Sequence, residues 1–356
     1  MSLSGSPRYL IIRRDNIGDL VCTTPFISAL RERHPNAYIA ALVNSYNREI
    51  LDGNPDIDEV FAYTKAKHRG PARTLFGVMV ERIRMLCTLR RCGIDLAILA
   101  APGFQKRSLR MARWAGAKQV LGFVGHEGEG NVELGVANVE AVDLHEVEAV
   151  FRLGAAIGIH GDPPRARIFP DPKMRSAVDE KVRLFLALRQ GPIIGIHISA
   201  RKPSQRWPAE RFAALSQELS NTCNARVLLF WSPGGDSNAL HPGDDAKAES
   251  IINACGEENL LAIPTTRLSD LIAAVAACDM VICADGGAMH IAAALQKPIV
   301  CLFGDSSASR WRPWGTHYEL LQSGSRNVMD IEVEQVVMAA LKLIDATNAK
   351  NYEPNT

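Results

Sequence analysis

The sequence predicts an α/β protein made of two Rossmann-like domains, each with a doubly wound parallel sheet, that face a central cleft. The chain has 356 residues, whereas a single core usually stops growing at roughly 250–300 residues. Short β-rich apolar runs alternate with amphipathic helical patterns through both halves, as in parallel sheets covered by helices. A stretch with four prolines at residues 161–172 separates the two series and predicts a linker.

The N-terminal half contains a first series of strands and helices. Strands are predicted at residues 9–12, 37–43, 60–62 and 96–100, and helices at 20–34, 75–91 and 145–157. The C-terminal half repeats the alternation. Its predicted strands are 193–197, 226–231, 280–284 and 298–303, and its helices are 209–220, 246–254, 269–277, 287–295 and 332–346. We therefore expect domains at 1–165 and 166–330, followed by a helical segment at 331–356 that could pack back on the N-terminal domain.

The charge and cysteine content narrow the class of protein. Lysine and arginine total 40, against 39 aspartates and glutamates, so the global charge gives no reason to expect a nucleic-acid partner. The eight cysteines are scattered without a Cys-x-x-Cys pair, which predicts reduced core residues and no metal site. The sequence has neither an apolar N-terminal signal segment nor a run of about 20 apolar residues. We therefore expect a cytoplasmic protein, with any membrane contact being peripheral.

The first candidate site is the polar loop at residues 13–19, after the first predicted strand. It has neither the G-x-G-x-x-G of dinucleotide-binding loops nor a Walker A pattern, which disfavours an NAD-dependent dehydrogenase. Asp19 instead follows Gly18 at the start of a helix. Two interpretations stay open: a carboxylate stabilised by the helix dipole, worth about 0.3–1 kcal/mol, or a catalytic group.

A second site is predicted at an Asp-Gly-Gly sequence between a strand and a helix. Glycines let backbone N–H groups at a helix start approach an anion closely. We therefore expect Asp285, Gly286, Gly287 and Ala288 to bind a diphosphate. The alanines at 292–294 could instead explain part of this pattern through tight packing of the helix on the sheet.

Two further loops follow strands of the C-terminal half. Ser199, Lys202 and Arg206 offer a hydroxyl and cations suited to phosphate oxygens, although a solvated basic loop is the alternative. Trp231 precedes a turn rich in glycine and proline and could contact a nucleoside, although a plain turn explains this segment equally well.

The N-terminal half also carries a local excess of cations. Its members are Lys65, Lys67, Arg69, Arg73, Arg82, Arg84, Arg90, Arg91, Lys106, Arg107, Arg110 and Arg113. Such a surface attracts an anionic partner, by about 1 kcal/mol per cation near an anionic membrane, unless it is simply a solvated helix face. Few aromatic residues lie among these cations, so nucleic acid is a poor candidate.

Taken in order along the chain, these segments resemble glycosyltransferase family 9, the heptosyltransferases. The opening I-I-R-R-D-N-I-G-D-L-V-C-T-T-P resembles the family's strand, G-D loop and T-x-P helix start. H-E-V-E at residues 145–148 resembles its His-x-x-Glu segment, and Arg206-Trp207-Pro208 resembles its Lys-x-Trp-Pro region. D-G-G-A-M-H at 285–290 resembles its D-[ST]-G-x-x-H motif.

The resemblance implies a GT-B fold and an inverting, metal-independent transferase without a cofactor. It implies ADP-heptose as donor and an anionic lipid A–core saccharide at the cytoplasmic face of the inner membrane as acceptor, and it places the catalytic base on Asp19. The expected donor-binding residues are Ser199, Lys202, Gln205, Arg206, Trp231, Asp285, Gly286, Gly287, Ala288 and His290. The expected acceptor-binding residues are Arg14, Asn16, Gly18, Lys65 and Arg69.

Two positions depart from the family pattern. Gly286 stands where the family usually has Ser or Thr, and Gln205 lies where the family has a lysine, with Lys202 and Arg206 as alternative cations. Three other functions stay open: a transferase for another nucleotide sugar, a nucleotide-sugar 2-epimerase, and a sugar-nucleotide-binding protein without activity. The G-D loop and the basic N-terminal half speak against the epimerase.

Overall fold

The chain folds into two compact units. A computed structural model describes residues 6–64, 75–124, 132–137, 144–187, 190–235, 243–256 and 258–351. The division falls between Met1–Phe169 and Pro170–Thr356, inside the proline-rich stretch that predicted a linker. No helix within these described ranges is both long enough and apolar enough to cross a membrane.

The N-terminal unit is a parallel sheet flanked by helices. Its strands are β1 Arg8–Ile12, β2 Tyr38–Asn44, β3 Glu59–Tyr63, β4 Leu96–Leu99, β5 Gln119–Val124 and β6 Leu134–Ala137. Its helices are α1 Ile17–Val21, α2 Thr24–Arg33, α3 Leu75–Arg91, α4 Lys106–Trp114 and α5 Glu146–Phe151. The six strands run in the order β3-β2-β1-β4-β5-β6. Leu10 of β1 lies opposite Ala40 of β2 and Ala97 of β4, so β1 and β4 are neighbours at the centre of the sheet.

The helix predicted at residues 20–34 is two helices in the structure. α1 ends at Val21 and α2 begins at Thr24 with Pro25 in its first turn. A proline has no N–H to donate into a preceding turn, and the hydroxyl of Thr24 instead donates to the Val21 carbonyl at 2.8 Å. The short α1 therefore presents its own start, with Asp19 on it, next to the end of β1.

The C-terminal unit repeats the architecture. Its strands are β7 Ile193–His197, β8 Arg226–Trp231, β9 Leu260–Pro264, β10 Met280–Ala284, β11 Ile299–Phe303 and β12 Tyr318–Gln322. Its helices are α6 Pro172–Leu186, α7 Ala209–Cys223, α8 Asp245–Cys255, α9 Leu268–Ala276, α10 Gly287–Ala294, α11 Ala308–Trp311 and α12 Val333–Asn351. The sheet order is β12-β11-β10-β7-β8-β9, again with parallel pairs.

Both sheets have the same topology when the strands are counted from the start of each unit. In each, the first strand lies between the second and the fourth, so the order of connections reverses between β1 and β4 and between β7 and β10. Ligands of open α/β sheets bind outside the carboxyl ends of the strands at this reversal. The fold therefore marks one candidate position in each unit before any side chain is considered.

The last helix belongs to the C-terminal unit. α12 packs against α7, β11 and β12, and its Val336, Ala340 and Leu343 are buried in the same hydrophobic core as Trp207 and Leu215. The sequence suggested a separate segment at 331–356. The structure instead makes residues 333–351 part of the second unit, because the apolar side of α12 covers the end of that sheet.

Candidate active site

In the N-terminal unit, Asp19 lies where the reversal of the sheet predicts a ligand. It is the third residue of α1, directly after β1, and its Oδ2 accepts the N–H of Asn16 at 2.9 Å. Its side chain is 13% exposed, so one edge of the carboxylate reaches solvent. A general base must contact a substrate proton directly, so partial exposure of the carboxylate is what such a role requires.

Arg13 anchors the other oxygen of this carboxylate and is itself almost fully buried, at 1% exposure. Its Nη2 donates to Asp19 Oδ1 and to Glu146 Oε1, both at 2.7 Å. Its Nη1 donates to the carbonyl of Ala100, immediately after β4. The guanidinium of Arg13 therefore connects three segments: the start of α1, the end of β4 and the start of α5.

Three carboxylates share this guanidinium, since Asp15 Oδ2 also lies 3.3 Å from Arg13 Nε. Burial disfavours the charged guanidinium, but Asp19, Glu146 and Asp15 outweigh that cost and raise the pKa of Arg13 above its ordinary value. Burial, reinforced by Glu146, likewise raises the pKa of the nearby Cys22 thiol well above its usual value, so Cys22 stays a neutral core residue.

Sequence reasoning did not single out Arg13 or Glu146 as functional residues. Arg13 stands next to Arg14 in a polar loop, and Glu146 lies in the H-E-V-E segment that carries the family resemblance. In that segment His145 and Glu148 cap α5: His145 Nδ1 accepts the N–H of Val147 at 3.1 Å, and Glu148 Oε2 accepts that of His145 at 2.8 Å. Glu146 is the residue of the segment that contacts Arg13.

A cavity of about 560 Å³ lies beside this loop within the N-terminal unit. Four arginines line it, namely Arg14, Arg82, Arg107 and Arg110. Asp15, Tyr63 and Trp114 complete its polar and aromatic walls. Guanidinium groups at such density suit a ligand with carboxylates or phosphates, because each can bind an oxyanion in a fork.

The predicted acceptor residues are distributed unevenly around this cavity. Arg14 lines it, and its Nε donates to the hydroxyl of Tyr63 at 2.6 Å. Asn16 is exposed in the adjacent loop, and Gly18 is buried in α1. Lys65 and Arg69 lie outside the residues that the structure describes.

In the C-terminal unit, Gln205 joins the ends of β7 and β10. It is 5% exposed, and its Nε2 donates to Asp285 Oδ2 at 2.7 Å and to Ser306 Oγ at 3.1 Å. Lys202 joins this group of hydrogen-bonded side chains, because its Nζ lies 3.2 Å from Asp305 Oδ1 and from Ser306 Oγ. The residue that departs from the family lysine therefore holds Asp285 as a neutral donor, with a cation next to it.

The Asp-Gly-Gly turn starts α10 as the sequence predicted. Gly286 precedes the first turn with φ 157° and ψ −166°, a conformation that is essentially restricted to glycine. No atom lies within 4 Å of where its Cβ would be, so the space beside it is open. Ala288 and His290 are buried in α10, and the His290 ring packs edge-on against Trp311 at 5.9 Å.

The remaining predicted donor residues lie at the ends of β7 and β8. Ser199 Oγ accepts the N–H of Ser232 at 2.9 Å, and Arg206 Nε donates to the Ala200 carbonyl at 3.0 Å. Trp231 is buried, and its indole N–H donates to Asp245 Oδ1 at 2.7 Å.

Lys247 is a cation that sequence reasoning missed at the same edge. Its Nζ donates to the Ile198 carbonyl at 3.1 Å, just after β7. Burial lowers the pKa of Lys247 to about 8. The same desolvation, reinforced by the charge of Lys247, lowers the pKa of His197 to about 4. Nothing in the sequence of α8 distinguishes this lysine. It lies near the end of β7 because of the fold, which no local pattern shows.

Two Rossmann-like units of this topology define a protein of the GT-B fold class. The solved structure of an Escherichia coli ADP-heptose lipopolysaccharide heptosyltransferase II has this fold, with a TM-score of 0.76, 22% sequence identity and coverage of 96% of this chain and 99% of that one. The chain belongs to glycosyltransferase family 9 (heptosyltransferase), whose model matches residues 82–339. It is therefore a glycosyltransferase.

Two relatives match over most of their length. Lipopolysaccharide heptosyltransferase 2 of Escherichia coli K12 is 26% identical over 311 residues, which cover 84% of this chain and 83% of the relative. Lipopolysaccharide heptosyltransferase 3 of the same organism is 25% identical over 355 residues, which cover 93% and 97%.

Proposed function

We propose that the protein transfers a heptose from ADP-heptose to a sugar hydroxyl of a lipopolysaccharide core, with inversion at the anomeric carbon. One observation carries the proposal: the loop that presents the Asp19 carboxylate also supplies Arg14 and Asp15 to the arginine-lined cavity. A base and a site for an anionic acceptor are thereby built on the same segment. The names of the relatives support heptose and lipopolysaccharide as the substrate classes.

In this proposal Asp19 is the general base. It takes the proton of the acceptor hydroxyl as that oxygen attacks the anomeric carbon, while the bond from that carbon to the diphosphate breaks and ADP leaves from the opposite face. General-base action contributes about 10²–10⁴ in rate. The family match begins at residue 82, so this role depends on the position of Asp19 at the end of β1.

The C-terminal unit is proposed to hold the donor. The N–H groups at the start of α10, beside the open space at Gly286, face the reversal of the sheet where a diphosphate would bind. Lys202 and Arg206 supply cations on the loop after β7. Fixed donors and cations of this kind stabilise the negative charge that develops on the leaving group, so we propose that no metal is required.

The arginine-lined cavity is proposed to hold the acceptor. A lipopolysaccharide core sugar that carries carboxylate or phosphate groups would place them against Arg82, Arg107 and Arg110, and its hydroxyl toward the loop of Asp19. The lipid part of such an acceptor stays in a bilayer. We therefore also propose peripheral contact of the N-terminal unit with an anionic membrane surface.

The proposal is tested with the parent protein and Asp19→Asn, given ADP-heptose and a lipid A–core acceptor. We expect the variant to lose about 10²–10⁴ in kcat while binding ADP with the affinity of the parent, since Asp19 lies outside the proposed donor unit. Glu148→Gln, which also removes one carboxylate from the N-terminal unit, is the matched control and should retain activity.

Four other outcomes would change the assignment. Equal turnover by Asp19→Asn would remove the base from the mechanism, and activity that EDTA abolishes would show that a metal is needed. In calorimetric titrations, preferential binding of UDP-sugars over ADP-heptose would point to another nucleotide sugar. Binding of ADP-heptose without transfer or hydrolysis would indicate a silent binding protein.

A further inference from the structure

Asp19 shares the guanidinium group of Arg13 with Glu146. Arg13 Nη2 divides its two N–H donors between Asp19 Oδ1 and Glu146 Oε1, at equal distances of 2.7 Å. The side chains of Arg13 and Glu146 are each 1% exposed, whereas Asp19 is 13% exposed. Arg13 and Glu146 thus form a buried charged pair, and Asp19 contacts this pair from a partly exposed position.

The guanidinium of Arg13 is held by two groups besides Asp19. Glu146 accepts from Nη2 at 2.7 Å, and the carbonyl of Ala100 after β4 accepts from Nη1. A hydrogen bond between charged groups is short and directional. A guanidinium fixed in this way holds the Asp19 carboxylate in one orientation.

We propose that Glu146 is a positioning residue for the transfer reaction: through Arg13 it holds the Asp19 carboxylate where it can accept the proton of the acceptor hydroxyl. The inference rests on the proposed role of Asp19 as the base. When Asp19 takes the proton, Arg13 still contacts Glu146 and Asp15, so the guanidinium stays in place during the reaction.

Charged groups from two elements surround Asp19. They include Arg13 and Asp15 from the loop after β1 and Glu146 from α5, with the neutral thiol of Cys22 after α1 nearby. Glu146 is the buried carboxylate among them, and it is joined to Asp19 through Arg13. Its replacement removes one contact of Arg13 and leaves the residues of the Asp19 loop themselves unchanged.

The test compares Glu146→Gln with Glu148→Gln, which removes a carboxylate from the same turn of α5. Glu148 caps the helix through the N–H of His145. We expect Glu146→Gln to lower kcat on the order of ten- to a hundredfold with little change in the KM for the donor. Glu148→Gln should stay within about twofold of the parent.

A double-mutant cycle separates positioning from general stability. If Glu146 acts through Asp19, adding Glu146→Gln to Asp19→Asn should cause no further loss of rate. Equal kcat values for the two glutamine variants would overturn the proposal. So would additive losses in the double variant. Full activity of Asp19→Asn alone would instead show that the base assignment has failed.

Glu146→Asp covers the case in which the glutamine variant does not fold. It keeps the charge but withdraws the carboxylate from Arg13 by one methylene. We expect kcat to fall severalfold while the KM for the donor stays near that of the parent, and a parental kcat would overturn the positioning role.

Discussion

In each sheet, one buried polar residue makes contacts at the ends of the two strands where the order of connections reverses. Arg13 links β1 to the end of β4 in the N-terminal unit, and Gln205 links the ends of β7 and β10 in the C-terminal unit. Their exposed fractions are 1% and 5%, so each must satisfy its donors within the protein. Each orders a carboxylate, Asp19 or Asp285, at the edge where substrates are expected.

Gly286 offers a test of backbone geometry at one residue. Gly286→Ser would restore the hydroxyl that most of the family has. Its φ of 157° is one that residues with a Cβ rarely adopt, so we expect the free energy of unfolding to fall by about 1–3 kcal/mol. ADP affinity should not improve, because the N–H groups of the turn must shift.

Gly324→Ser is the control for this change, measured by chemical unfolding and calorimetric titration. Gly324 also has open space around its Cβ position but has no positive φ, so its replacement should be nearly neutral. A serine at 286 that left stability unchanged and tightened ADP binding would contradict the strain argument.

At the scale of the elements, several strand and helix ends meet around His197 at one edge of the C-terminal sheet. β7 ends at His197, between Phe230 of β8 and Cys283 of β10 in the register of the sheet. The start of α8 adds Lys247 to the same edge. His197 is half-buried at this edge, and its burial together with the nearby charge of Lys247 lowers its pKa to about 4. The strand end therefore contributes a pH dependence to the stability of the C-terminal unit.

The sign of this dependence follows from the protons taken up on unfolding. Between about pH 6.5 and pH 4, His197 is protonated in the unfolded chain but neutral in the folded one. Stability should therefore fall as the pH is lowered through this window, by up to about 3 kcal/mol. Urea unfolding of His197→Gln should show a shallower loss over the same range than the parent. Parallel curves for the two proteins would contradict the assigned pKa.

At the scale of the molecule, the N-terminal unit carries a mixed basic and apolar surface. On α3, Met79 and Ile83 are 56% and 53% exposed, and on α4 Trp114 is 43% exposed. Met79, Ile83 and Leu86 follow one another at helical spacing, and Leu86 and Trp114 both line the arginine-rich cavity. The apolar residues thus adjoin the mouth of the proposed acceptor site. Charge and apolar area together suit an anionic bilayer.

Vesicle binding tests this surface. We expect co-sedimentation with phosphatidylcholine vesicles to require added phosphatidylglycerol and to weaken as salt is raised. The double variant Met79→Ser/Ile83→Ser should bind roughly tenfold less, because it loses apolar area that would enter the interface. Met338→Ser is the control, since Met338 is 71% exposed on α12 of the other unit. Equal binding by all three proteins would place the membrane contact elsewhere or exclude it.

Much of the fold was predictable because its causes are local. The apolar runs of β7, β8, β10 and β11 and the turn before α10 were placed by their own sequences. The strands β6, β9 and β12 were not predicted, since short strands at sheet edges carry a weak pattern. The strand β5, which lies inside its sheet, was also missed. The break between α1 and α2 was missed although Pro25 was visible, because the apolar spacing continues across it.

The sequence by itself determined the class of protein: two Rossmann-like units, the G-D loop with Asp19, and the glycine turn at Gly286, all of which depend on residues that are neighbours in the chain. Only the tertiary structure decided which partners these groups have. Arg13 and Glu146 are 133 positions apart, and Gln205 and Asp285 are 80 apart. Their contacts arise because parallel strands bring their carboxyl ends to one edge, and no local pattern encodes which side chains meet there.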